Sequence, residues 1–241
     1  MSDTPTRIFV VGTDTGVGKT AVVSALLYSA RDRTDLRFVP FKPAQSGDDS
    51  PSDTERLLAA AGLDASNLQA ACPLRYDPPL APGLADDPAK FLDPTAKTST
   101  TVPPVVVDAL REWEAKTEAT VTLIEGAGGL HVPMPGGTWL ASWITALTSY
   151  TLIVGRAGLG TINHTLATIE GLRAIGRPAL GFMLNHTQTS PDPSVNDNAT
   201  VIAAASGVPH LGTLPHGPEP QRADDLLDAL LARLAAAGPP R

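Results

Sequence analysis

A single cysteine, Cys72, stands in this chain of 241 residues. It cannot close an internal disulfide or supply the thiolates of a zinc cluster, so a disulfide-stapled secreted scaffold and a zinc ribbon are both excluded. Cys72 reads instead as a small apolar filler, and a reducing cytoplasm is the expected compartment. Basic residues are outnumbered: 18 Lys and Arg face 25 Asp and Glu, giving a net charge of −7 and a pI near 5.1. A protein that tracks nucleic-acid phosphates needs a basic face, so nucleic acid is not an expected partner. No apolar run approaches the ~18 residues of a membrane span, so no membrane partner is expected either. The opening Met1 to Arg7 runs into a short apolar segment without the pattern of a signal peptide. The Asn-x-Thr sequons at Asn163, Asn185 and Asn198 are then chance matches. The five histidines, His131, His164, His186, His210 and His216, lack the His-x-x-x-His spacing of a metal pair. They read as loop or core residues, apart from contacts to a nucleotide.

What is present is a folding chain: 42% apolar and 18% charged residues, with 21 glycines and 23 prolines promising numerous loops. The length fits one compact domain over residues 1–241. Short β-branched runs alternate with segments of helical period, the signature of βαβ units around a parallel sheet. Strands are expected at Ile8 to Val11, Arg37 to Phe41, Val121 to Ile124, Thr151 to Val154, Ala179 to Leu184 and His210 to Leu214. Pro40 puts the second at a sheet edge or at a strand end. Helices are expected at Lys19 to Arg31, Thr54 to Ala61, Pro104 to Lys116, Thr161 to Ile175, Val195 to Ser206 and Ala223 to Ala236. Gly62, Gly176 and Gly238-Pro239-Pro240 follow three of them as stop signals. Asp64 to Thr101 is rich in Pro, Asp, Thr and Ala and reads as one long irregular loop. Residues 221–241 read as a C-terminal helix and tail. Its Leu226, Leu227, Leu230, Leu231 and Leu234 give one apolar face, for packing on the sheet or on a second subunit.

The first strand leads into Gly12-Thr-Asp-Thr-Gly-Val-Gly-Lys19-Thr20, and a helix follows at once. Backbone N–H groups can be aimed at a polyanion only where no Cβ blocks the approach, and Gly16 and Gly18 supply that freedom. Lys19 would neutralise β- and γ-phosphates, and the Thr20 hydroxyl would sit on a bound Mg²⁺. The strict pattern G-x-x-x-x-G-K-[ST] puts its first glycine at Thr13, whereas this chain has Gly12. The plainer alternative is a Gly-rich turn capping an ordinary helix, but strand, loop and helix together favour nucleoside triphosphate binding.

Further chemistry falls at other strand ends. Phe41-Lys42-Pro43-Ala44-Gln45-Ser46-Gly47 places Lys42 and Ser46 where doubly wound sheets bind ligands, although a solvated surface lysine is the alternative. Ser50-Pro-Ser-Asp53-Thr-Glu55 reads as a capping box with Pro51 at the first helical position, which makes Asp53 a capping residue on sequence grounds. Glu125-Gly126-Ala127-Gly128-Gly129 ends a strand with a carboxylate that could hold Mg²⁺, or that is a surface glutamate before a turn. Gly158-Leu-Gly160-Thr161-Ile162-Asn163-His164 opens a helix whose free N–H groups suit a carboxylate, with simple capping by Thr161 equally open.

Taken in order, four blocks resemble the dethiobiotin synthetase family: residues 12–20, 41–47, 125–129 and 159–164, within a likeness running from about residue 6 to 220. The phosphate loop, one residue longer than the strict pattern, is the family's form. The resemblance is weakest over Asp64 to Thr101, and the block His216 to Pro220 is shorter than usual. It implies a doubly wound, mostly parallel α/β sheet of phosphate-loop NTPase type with helices on both faces, working as a homodimer. It implies conversion of 7,8-diaminononanoate, CO₂ or bicarbonate and ATP into dethiobiotin, ADP and phosphate. Lys19 and Lys42 would be the catalytic lysines, and Thr20, Asp53 and Glu125 would surround Mg²⁺, with Asp48 and Asp49 close by in sequence. Gly16, Val17, Gly18, Ala21, Gly126, Ala127 and Gly128 would line the nucleotide. Asn185, His186, Pro215, His216 and Gly217 would meet the adenine, with Glu219 near the ribose. Thr15 and Ser46 would touch the diamine, whose carboxylate would be held by Gly160, Thr161, Ile162 and Asn163 of the other subunit.

Rival classes leave marks that can be sought. A switch ATPase that dimerises on DNA or membrane carries a signature lysine where this chain has Asp14. An amide synthetase of the cobyrinate group usually adds a glutaminase domain with a cysteine nucleophile, for which 241 residues and Cys72 leave no room. A silent nucleotide-binding module would bind ATP without turning over a diamine.

Overall fold

The computed structural model describes residues 4–47, 49–148, 150–189 and 192–238. Asp48, Pro239 and Pro240 lie outside the described residues.

The chain opens with β1 (Thr6–Gly12) and α1 (Lys19–Ala30), then β2 (Phe38–Phe41), β3 (Ala44–Ser46) and α2 (Asp53–Ala61). The region expected as one long loop is instead built of short elements: α3 (Leu68–Ala71), β4 (Leu74–Tyr76), α4 (Pro82–Asp86) and α5 (Ala89–Leu92). Local chemistry organises it. Asp64 accepts from Ser66 N, Pro82 starts α4 at its first turn, and the Tyr76 hydroxyl donates to Asp86 at 2.9 Å. α6 (Pro104–Thr117) and β5 (Val121–Glu125) lead to a hairpin of β6 (Pro133–Met134) and β7 (Thr138–Trp139), then α7 (Leu140–Leu147). The rest alternates strictly: β8 (Tyr150–Arg156), α8 (Thr161–Ala174), β9 (Ala179–Asn185), α9 (Val195–Ser206), β10 (His210–Leu214) and α10 (Asp224–Ala237).

Six strands form one parallel sheet in the order β10-β9-β8-β1-β5-β2. β2, with Pro40, is an edge strand, where a missing N–H costs no ladder bond. Side chains alternate between faces along β1. Ile8 and Val10 pack with α1 and α10, while Phe9 and Val11 face the side covered by α6, α7, α8 and α9. Both faces are apolar and dry, which is why these strands read in the sequence as short continuous hydrophobic runs. In α10, Leu226, Leu227 and Leu230 are buried against this sheet, with Leu231 and Leu234 packed at the margin. Cys72 is fully buried, and burial pushes its thiol up to about 11, as befits an inert filler.

The parallel arrangement gathers the carboxyl ends of β1, β2, β5, β8 and β9 along one edge of the sheet, and the loops leaving them carry the polar residues singled out above. A second ladder supports that edge: β3 pairs with β4 in parallel and carries residues 79–82 up beside the end of β2.

Candidate active site

Residues 13–18 leave β1 and wrap round the start of α1, whose cap is Gly18. The two glycines that decide this loop are Gly12 and Gly18. A Cβ on Gly12 would come within 2.7 Å of both Asp14 O and Lys19 Nζ, so only glycine allows the strand to turn under the lysine. Gly18 has φ +90, and a Cβ there would fall 1.9 Å from Asn185 Nδ2. That amide donates to Val17 O at 3.1 Å, so β9 buttresses the loop from below. Val17 itself is core, contributing backbone to the cradle. Asp14, at the switch-ATPase lysine position, uses its carboxylate to accept from Thr15 N at 2.7 Å.

Lys19 is 7% exposed and reaches Asp14 O at 3.3 Å. Burial, only partly offset by Glu125, pulls its pKa down to about 8. The other lysine is in a different setting. Lys42, just past β2, sends Nζ to Glu125 Oε1 at 2.5 Å and to Asp53 Oδ2 at 2.9 Å. Burial alone would lower the Lys42 pKa, but the two carboxylates raise it well above the usual lysine range. Burial works against the charge of Asp53 as well, yet Lys42, with help from the Thr20 hydroxyl and Arg56, holds it below the usual carboxylate range. Thr20 Oγ1 also donates to Glu125 Oε1 at 2.9 Å. Glu125 is fully buried, and its other oxygen, Oε2, finds no partner among the described residues.

A buried carboxylate oxygen without a donor is a costly feature that a ligand or cation relieves. Thr20, Asp53 and Glu125 offer hard oxygens of the kind Mg²⁺ prefers. No group of three His, Cys, Asp or Glu among the described residues could hold a metal unaided. The donor set therefore fits an Mg²⁺ that brings phosphate oxygens and water with it.

These groups line a cavity of about 550 Å³ that also takes in Thr15, Gly16, Gly18, Ala21, Ser46 and the turn 126–128. Glu219 stands at its mouth and at that of a second cavity of about 200 Å³, whose walls include Asn185, His186, Pro215, His216 and Gly217. The two share Gly18 and Ala21, so a single elongated ligand could run from one into the other.

Several expectations change. The α2 cap is Ser52, with a complete capping box to Glu55; Pro51 precedes the cap instead of occupying the first helical position. Asp53, freed from capping, turns to Lys42. Glu125 and Lys42 are buried, so neither is a surface residue. Thr161 does not cap α8; Gly160 holds that place, and Thr161 Oγ1 meets Thr165 Oγ1 at 3.3 Å in the core. Gly160, Thr161, Ile162 and Asn163 line neither cavity of this chain. Asp49 is exposed and lines neither cavity.

Some site residues escaped sequence reasoning. Gln45 accepts from both N and Oγ1 of Thr54, bolting α2 to β3. Arg56 lines the main cavity, and its spacing of three from Asp53 on one helix was the available signal. Leu80 is 52% exposed within the cavity wall, where its carbonyl accepts from Ser46 Oγ at 2.5 Å.

A parallel doubly wound sheet with this loop at the end of β1 defines a phosphate-loop ATP-binding protein. A family model described as an AAA domain matches residues 6–223. The ParA family ATPase from Chlorobium tepidum TLS superposes with a TM-score of 0.50 at 16% identity, covering 96% of this chain and 90% of that one, a likeness of fold alone. Sequence relatives narrow the class. The ATP-dependent dethiobiotin synthetase BioD of Anaeromyxobacter dehalogenans (strain 2CP-C) is 42% identical over 227 residues, 93% of this chain and 96% of that protein. The protein of the same name from Bacillus subtilis (strain 168) is 33% identical over 210 residues, 86% of each. The chain belongs to the ATP-dependent dethiobiotin synthetase family, ligases of biotin biosynthesis. No helix among the described residues is long and apolar enough to cross a membrane.

Proposed function

We propose that the protein joins CO₂ to 7,8-diaminononanoate and closes the ureido ring of dethiobiotin, with ATP split to ADP and phosphate, as a cytoplasmic homodimer. The observation that carries this reading is the buried pair of Lys42 and Glu125, joined by the Thr20 hydroxyl, which lines with Lys19 the cavity at the end of β1. One amine takes up CO₂ as a carbamate and loses a proton. A carbamate oxygen attacks the γ-phosphorus, and ADP leaves. The second amine then attacks the carbonyl of the mixed anhydride, the ring closes and phosphate departs. Each step needs positioned reactants and neutralised charge more than bond-making by the protein.

Lys19 meets the β- and γ-phosphates and Lys42 the charge developing between carbamate and phosphoryl group. Thr20, Asp53 and Glu125 would hold Mg²⁺, which would supply neutralisation of the phosphate charge. Residues 16–18 and 126–128 approach the nucleotide through backbone, while the smaller cavity of Asn185, His186, Pro215, His216 and Gly217 takes the adenine and Glu219 a ribose hydroxyl. Thr15 and Ser46 face the amine end of the diamine. Its carboxylate meets the start of α8 from a second copy; Leu159 beside that start is 81% exposed, as suits an interface.

Incubation with ¹³C-bicarbonate, diamine and MgATP should yield dethiobiotin one mass unit heavier at the ureido carbonyl. Unlabelled product, or none, would sink this reading.

A further inference from the structure

Residues 215–221 link β10 to α10 and carry the carboxylate proposed for the ribose, yet a void lies behind them. A cavity of about 530 Å³ opens between α1, α2 and this loop, with Ser24, Ala59 and Pro220 on its walls. Ser24 is 2% exposed, and its hydroxyl has no partner among the described residues, so the void has a polar floor that no protein group fills. None of the loop's other bonds among the described residues crosses that space. Gln221 Nε2 donates to Pro215 O at 2.9 Å, which closes the loop on itself. Beyond the loop, Arg222 pairs with Asp32 at 2.6 Å and Ala223 N donates to Ser29 Oγ at 2.7 Å, which fastens the far end to α1.

Across the gap toward α2 the loop meets Arg56. Its NH1 lies 3.9 Å from Glu219 Oε2, and both side chains border the nucleotide cavity and the void alike. The pair is the partition between the two spaces. One turn back along the same face of α2, Asp53 pairs with Lys42. A single helix face thus touches both ends of the nucleotide's path. We propose that Arg56 is a positioning residue that holds Glu219, and with it the 215–221 loop, against the nucleoside half of the bound nucleotide, keeping the loop out of the void behind.

This inference rests on Glu219 facing the nucleotide, as proposed above, but it is tested by binding alone and needs no turnover. The dissociation constants of ATP and ADP are measured for the wild type, Arg56→Ala, Arg56→Lys, Glu219→Gln and the double variant Arg56→Ala/Glu219→Gln, alongside thermal melts. An exposed pair of this kind supports a loss of about twofold to fivefold. Arg56→Ala should weaken both nucleotides by that factor with an unchanged melt, Arg56→Lys should recover part of it, and the double variant should be no worse than Glu219→Gln. In steady state the ATP KM should rise while the diamine KM does not. An unchanged dissociation constant in Arg56→Ala would overturn the proposal. Additive losses in the double variant would overturn it too, since Arg56 would then act on the phosphates directly. Failure of ¹³C incorporation by the wild type would strike the reaction proposed above and leave these binding results standing.

Discussion

Nζ of Lys42 lies 2.5 Å from Oε1 of Glu125, although the two residues leave different strands, β2 and β5, and are 83 positions apart in sequence. Register puts them there: Phe41 pairs with Ile124 in the parallel ladder, so the next residue on each strand emerges at the same level of the sheet edge.

Lys42→Met would leave Glu125 as a buried charge without its counterion, which costs about 3 kcal/mol of stability. The ammonium also occupies oxygens proposed for Mg²⁺, so the variant should bind Mg²⁺ without nucleotide more tightly than the wild type does. Thermal melts with and without millimolar Mg²⁺ check this: the cation should raise the melting temperature of Lys42→Met by several degrees and that of the wild type hardly at all.

Lys19 titrates near 8 because its surroundings disfavour the charge. Its folded pKa lies below the unfolded value of 10.5, so the burden on stability is full below pH 8 and is relieved as pH rises toward 10.5. A polyphosphate beside the amine restores the proton. Calorimetry of ATP binding in buffers of different ionisation heat should therefore show uptake of about half a proton at pH 8, with affinity falling as pH rises further. Lys19→Arg, charged throughout, should abolish the uptake.

Gly18→Ala places a methyl group 1.9 Å from Asn185 Nδ2, in a left-handed backbone conformation that costs alanine about 1–2 kcal/mol. The loop must open to accommodate it. ATP affinity should fall more than tenfold in a fluorescence titration, and Asn185→Ala in the same chain should return part of the loss by removing the obstacle.

If the start of α8 serves the partner's cavity, the lesions Lys42→Ala and Asn163→Ala fall on different halves of a composite site. Each variant should be nearly inactive alone, whereas an exchanged equimolar mixture should recover about a quarter of wild-type turnover, because half the dimers carry one intact site. No recovery after subunit exchange would place both lesions in one chain's site.

Much of this was legible beforehand for a physical reason. Strands buried on both faces must be apolar throughout, so runs such as Ile8 to Val11 mark themselves, and glycines at helix ends and phosphate loops have no substitutes. Less visible was whatever depended on contacts distant in sequence. Asp53 looked like a cap because its neighbours Ser52 and Glu55 form one, and only Lys42, brought over by β2, reveals its second partner. Residues 64–101 looked irregular because their elements are short and held by pairing with β3, which local periodicity cannot express. α7 was missed although Leu140, Trp143, Ile144 and Leu147 carry the helical spacing; eight residues beside a Gly-Gly hairpin gave too short a window.

The most direct test of the account is phosphate release from MgATP by the purified wild type, measured with diamine and bicarbonate present together, singly and not at all. The account predicts release only with both, matched mole for mole by dethiobiotin in the mass spectrum. Release that proceeds equally without the diamine would contradict it, because the cavity would then be turning over ATP with water as acceptor.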